Sequence, residues 1–175
     1  MSDKFPPRPL PHDEIAALAA SVPMPGFADR LLAYIRKAAD IANFGTFYVA
    51  DMARPDPVLS IWAGEMSTYW FNRNASTILA NEQLTQSILD RIRAARGGGL
   101  VIERWRPEPD DPISPIYARD KAIERVTVSS CTDRGGFQSF FLRGEKAGWL
   151  TDPEMERLQA VLPLAHELIG LRHRI

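Results

Sequence analysis

Two pairs of short strand-like runs, each joined by a connection too short for a crossover, constrain this chain more than any other feature. FGTFYVAD (44–51) and VLSIWAG (58–64) are rich in aromatic and β-branched residues and flank the turn MARPDP. RVTVSSC (125–131) and FQSFFLR (137–143) flank the turn TDRGG. Parallel neighbours need a connection of about a dozen residues or more, so each pair is an antiparallel hairpin. Gly135 and Gly136 are expected to supply the positive φ values of the second turn. LVIERWR (100–106) adds a fifth strand.

Helical patterns fill the intervals. HDEIAALAASV (12–22) is a short helix with acidic residues in its first turn. In residues 26–42, Phe27, Leu31, Leu32, Ile35 and Ala38 or Ala39 recur at helical spacing. In residues 81–96, Leu84, Ile88 and Ile92 line one side, and Gly97–Gly99 end the helix. Residues 116–124 give a further short helix, while residues 65–80 read equally as helix or irregular chain. The final segment, 151–175, opens with Thr151 or Asp152 as a cap, Pro153 in the first turn and Glu154 and Glu156 behind it. It closes with Arg172, His173 and Arg174. Met155, Leu158, Leu162, Ala165 and Ile169 form one apolar stripe on it. Val161, Leu164, Leu168, Leu171 and Ile175 form another, and Pro163 is expected to bend the helix. Two hairpins with helices between them give an α+β sandwich: a five-stranded, mainly antiparallel sheet with helices on both faces and a long C-terminal helix. Residues 1–11 hold four prolines and read as an extended arm, and residues 12–175 as a single domain.

Several functions are disfavoured. With 21 Lys+Arg against 22 Asp+Glu, the chain lacks the cationic surplus of a nucleic-acid binder. It holds no run of about 18 apolar residues, so no membrane span is expected. MSDKFPPRPLPHDE has no apolar stretch behind its charges, and the single Cys131 can form no intrachain disulfide. A cytoplasmic location is expected. His12, His166 and His173 are scattered, so no metal site is expected. Ser129, Ser130 and Cys131 read as strand residues, and Asp110–Asp111 as a solvated turn among prolines. Gly97–Gly99 follows a helix and lacks a Lys–Ser/Thr ending, so it is no phosphate loop. No catalytic residues and no cofactor are assigned.

The order of elements is the plan of the GAF/PAS-like sensory fold. Three stretches make the chain resemble the N-terminal sensory region of LuxR-type helix-turn-helix transcriptional regulators. They are FGTFYVADMARPDPVLSIWAG, DDPISPIYARDKAIERVTVSS and GGFQSFFLRGEKAGWLTDPEMERLQAVLPLAHELIGLRHRI. In the last, the strand Ser139–Arg143 leads to Trp149, the Thr151/Glu154 cap and a long helix with a central proline and a basic end. Residues 65–96 depart from the family, which often carries a tyrosine-rich segment ending in Asp-Pro there; this chain has Tyr69–Trp70 and no such Asp-Pro.

The resemblance implies a small-molecule effector held between the sheet and its covering helices. Tyr48, Trp62, Tyr69, Trp70, Trp105, Tyr117 and Phe141 lie on or beside the strands and are the candidate ligand residues, with Arg104 placed to neutralise an anionic ligand. The surplus apolar face of helix 151–175 is covered either by helix 26–42 or by the same helix of a second subunit, forming a homodimer. DNA would be contacted only through a domain following residue 175, which this chain lacks. Two alternatives stay open: a stand-alone protein–protein interaction module with a filled core, and a small cytoplasmic enzyme using the same cavity.

Overall fold

The computed structural model describes residues 11–175. The proline-rich arm expected for residues 1–11 lies outside them, except for Pro11, which opens the first helix. The elements run α1 (Pro11–Ala20), α2 (Phe27–Ile35), β1 (Asn43–Val49), β2 (Val58–Gly64), α3 (Thr68–Ala80), α4 (Glu82–Ala94), β3 (Val101–Trp105), α5 (Ser114–Asp120), β4 (Ala122–Cys131), β5 (Gly136–Gly144), a 3₁₀ turn (Glu145–Ala147) and α6 (Asp152–His173). The strands form one sheet in the order β2-β1-β5-β4-β3, every pair antiparallel. Among the described residues no helix is long and apolar enough to cross a membrane.

Side chains alternate across a strand, so each strand feeds two cores. Phe44 of β1, Val126 and Val128 of β4 and Phe141 of β5 pack with α2 and α6 around Phe27, Leu31, Ile35, Leu158, Leu162 and Ile169. The intervening residues Phe47, Val49, Cys131 and Leu142 point the other way, against α3, α4 and α5. The sandwich therefore has two separate apolar halves with the sheet between them.

The C-terminal helix belongs to the first half. Thr151 and Glu154 close a reciprocal capping box at its start. Pro163 sits inside α6, which runs through it without a break. Leu158, Leu162, Ala165, Leu168 and Ile169 are buried, and Met155, Val161 and Leu164 pack against them at the edge. Most of both stripes is thus covered within the chain by α2 and the sheet, leaving Leu171 and Ile175 exposed. Two histidines fasten the helix: His166 Nε2 lies 2.6 Å from Ser130 Oγ, and His173 Nε2 lies 2.8 Å from Ser60 Oγ. Phe137 stacks on His166 at 4.1 Å, and Tyr48 stacks on His173 at 4.3 Å.

Three local expectations change. The helix expected over 26–42 stops at Ile35, where Arg36 Nε turns back to donate to the Ile41 carbonyl at 2.8 Å. The helix expected over 116–124 spans Ser114–Asp120; Lys121 takes a left-handed conformation (φ 58°), and β4 begins directly after it. Gly135 and Gly136 are not at positive φ. They are needed because a Cβ at Gly135 would meet the carbonyl oxygens of Val49 and Ala50, and one at Gly136 would meet Ile92 and the Ser130 carbonyl.

Candidate functional site

The stretch left undecided in the sequence builds the roof of the site. Ser67 caps α3, its hydroxyl accepting from the Trp70 N–H at 3.3 Å. Asn81 ends α3 and caps α4, its side-chain oxygen accepting from the Leu84 N–H at 3.0 Å. The α3–α4 pair so formed lies over β1, β2, β4 and β5, and α5 closes one side. Beneath it is a largely enclosed cavity of about 70 Å³. Phe47, Leu59, Phe71, Ile78, Ile88, Ile113, Phe140 and Leu142 give it apolar walls, and Asn74, Tyr117, Arg125 and Gln138 add polar groups. That volume is less than half of the roughly 150 Å³ that admits a benzene.

The polar groups are buried and placed. Arg125 lies on the cavity face of β4, opposite Trp105 of β3 in the ladder. Its guanidinium carbon is 4.2 Å from the Trp105 ring centroid, and its Nη1 donates to the Tyr117 hydroxyl at 3.3 Å. Trp105 and Tyr117 meet edge to face at 6.0 Å. Burial pushes the Tyr117 phenol above its ordinary value, partly offset by Arg125, so the hydroxyl stays protonated near neutral pH. At the far end Asn74 Nδ2 donates to Asp120 Oδ2 at 2.7 Å and its oxygen accepts from Arg119, whose guanidinium lies over Trp70 at 4.8 Å. Asp111 Oδ1 accepts from the Ile113 N–H at 2.9 Å, and Arg91 pairs with Glu103. Such a cavity can enclose an apolar body and orient a polar group. Among the described residues no three His, Cys, Asp or Glu side chains converge as a metal site requires.

The structure brings together only part of the sequence-derived set. Tyr117 lines the cavity, and Trp105 backs it through Arg125. Trp62, on the edge strand β2, lies 6.4 Å from Phe71 of the wall without lining the cavity. Tyr69 and Trp70 stand on the outer surface of α3, 62% and 38% exposed, where they contact each other at 5.3 Å. Phe141, Tyr48 and Arg104 are on the opposite face of the sheet. Phe141 stacks on Phe44 at 5.7 Å, Tyr48 on His173, and Arg104 donates to Glu124 and, at 2.6 Å, to the Leu150 carbonyl. Strand alternation is the reason: Arg104 and Trp105 are consecutive and face opposite layers. The cations lining the cavity are Arg91, which pairs with Glu103, and Arg125; the sequence reading missed both. The signal for Arg125 was present in RVTVSSC, where that residue, Thr127 and Ser129 alternate with Val126 and Val128 and mark one face as polar.

No protein-family model and no curated protein sequence matches the chain. Solved structures do. The LBD domain of VqsR from Pseudomonas aeruginosa superimposes with a TM-score of 0.65 at 15% identity, covering 93% of this chain and 96% of that one. CepR2 from Burkholderia cenocepacia, described as an N-acylhomoserine lactone dependent LuxR family transcription factor, gives 0.63 at 17% identity, covering 91% and 89%. The third GAF domain of Slr1393 from Synechocystis gives 0.56 at 7% identity, covering 91% and 94%. The chain therefore has the fold that LuxR-type regulator domains share with GAF domains.

Proposed function

We propose that this chain is the effector-sensing domain of a transcriptional regulator, that it acts by binding rather than catalysis, and that its effector sits beneath α3 and α4. The observation that carries this reading is the enclosed apolar cavity holding a small set of buried polar groups, in a fold found among LuxR-type regulators. An effector larger than a few heavy atoms needs more room than about 70 Å³, so binding displaces the α3–α4 cover outward. Such a ligand selects a conformation in which the roof stands further from the sheet. The exposed end of α6, with Leu171 and Ile175, is the face assigned to self-association in this reading.

Native mass spectrometry of the purified chain tests both parts, since it reads subunit count and co-purified mass together. The expected result is a bound small molecule, or a thermal shift with a member of a panel of acyl lactones, monoacylglycerols and small organic acids. Either should disappear in Ala75→Phe, which fills the cavity from α3. No bound mass and no shift across the panel would overturn the sensing assignment, and a strict monomer would remove the self-association.

A further inference from the structure

Two buried arginines on adjacent strands are treated in opposite ways. Arg143 of β5 is 4% exposed, and every one of its side-chain N–H groups meets an acceptor. Its Nη1 and Nη2 grip Glu154 at 2.7 and 3.0 Å, and the remaining donors reach the carbonyls of Asp40, Ala147 and Gly148. Arg125 of β4 is nearly as buried, at 9% exposed. The one hydrogen-bond partner of its side chain among the described residues is the neutral Tyr117 hydroxyl. No carboxylate of the described residues pairs with it, and its Nε is buried with no acceptor at all. A buried, unbalanced charge is among the costliest arrangements a fold can keep. Arg143 demonstrates that this fold can satisfy a guanidinium completely where the role is structural.

We infer that Arg125 is the anchor for a ligand carboxylate, which makes the effector a small organic acid with an apolar body; the inference rests on the sensing assignment above. The Nε–Nη2 edge of Arg125 is the edge without partners, and two N–H groups on one guanidinium edge match the two oxygens of a carboxylate. Trp105 covers one face of the guanidinium and Tyr117 holds Nη1, so the edge is fixed in orientation before a ligand arrives. Phe47, Phe140 and Leu142 offer the apolar wall for the rest of the molecule. The two acids that also line the cavity are engaged elsewhere: Asp120 by Asn74 and Arg119, and Asp111 by the Ile113 N–H. Neither forms an ion pair with Arg125.

The test compares acids with their neutral isosteres on the whole chain. Octanoate and phenylacetate are titrated calorimetrically beside octanamide and phenylacetamide. At least one acid should bind about tenfold or more tightly than its amide, the discrimination expected when hydrogen bonds to an ionised group are exchanged for neutral ones. Arg125→Gln should erase that preference, bringing each acid and its amide to within about threefold of one another. Should Arg125→Gln fail to fold, the acid-to-amide ratio on the unaltered chain decides alone. Amides binding as well as or better than the acids would overturn the inference and leave the sensing assignment standing. The same holds if an acyl lactone or a monoacylglycerol binds and neither acid does. Silence from all four compounds and from the panel would remove both.

Discussion

At the scale of single residues, the two faces of β4 show how much one position decides. Glu124 is fully buried and holds Arg104, Arg106 and the Leu150 N–H, the last at 3.2 Å. Removing it strands Arg104 and an amide at the start of α6. Glu124→Ala is expected to lower unfolding stability by about 3 kcal/mol, measured from urea midpoints. Gly135→Ala tests the close approach of the β4–β5 turn to β1. Because the new methyl meets the Val49 and Ala50 carbonyls, a loss of about 1–3 kcal/mol is expected. Had the residue been there for a left-handed conformation, the reason would be backbone strain; here it is space. The neighbouring arginines explain why the ligand residues were only half legible. Alternation says that Arg104 and Trp105 face opposite ways, and that Arg125 and Val126 do too. It does not say which face carries the cavity, because both faces are covered by helices and both bury aromatic side chains.

At the scale of elements, α6 is joined to the sheet through groups that respond to acid. Burial holds His166 down to about 4, with His173 pushing the same way, and burial holds His173 down to about 4 as well. Both rings are neutral in the folded chain at neutral pH. In the unfolded chain they take up protons near pH 6.5, so between about 6.5 and 4 the unfolded state binds more protons and stability falls as the pH is lowered. For His166 the loss across that window is roughly 3 kcal/mol. Urea midpoints taken from pH 7 to 4.5 should decline, and His166→Asn should flatten the decline while lowering the value at pH 7. A His166→Asn profile as steep as the parent's would contradict this account. The helix itself was plain in the sequence, because cap, periodicity and basic end agree. Helix α3 was not. Its buried residues are only Phe71, Asn74, Ala75 and Ile78, and Asn72, Asn74, Ser76 and Thr77 are weak helix formers. The cap Ser67 and the packing against α4 decide its conformation. The overlong reading of α2 has a similar origin: Ala38, Ala39 and Ile41 are buried in a turn, and a buried turn keeps an apolar pattern that reads as helix.

At the scale of the whole molecule, the sheet divides the interior unequally. The half under α2 and α6 is packed around fully buried Phe27, Leu31, Ile35, Leu158, Leu162 and Ile169. The half under α3–α5 contains the cavity and a roof helix with most of its surface in solvent. Native-state hydrogen exchange should follow that division: amides of α3 should open well ahead of those of β4, β5 and the middle of α6. Exchange of α3 as slow as that of β5 would place the roof in the same cooperative unit as the sheet. The architecture was readable from sequence because it follows from local facts, two short turns and the spacing between them. The cavity was less so, because it exists only where three helices and four strands from distant parts of the chain meet.

Glu124 and Arg125 are joined by one peptide bond and belong to different halves of the interior. Glu124 clasps Leu150 and the entry to α6, whereas Arg125 faces the cavity. A planar amide is stiff, so a ligand that draws the Arg125 side of this bond toward itself tugs its neighbour along. The ladder slips between Ala122 and Glu124, just before the pair. In the proposed reading, news of occupancy would thus travel through the sheet by a single link of chain, ending at the threshold of the last helix.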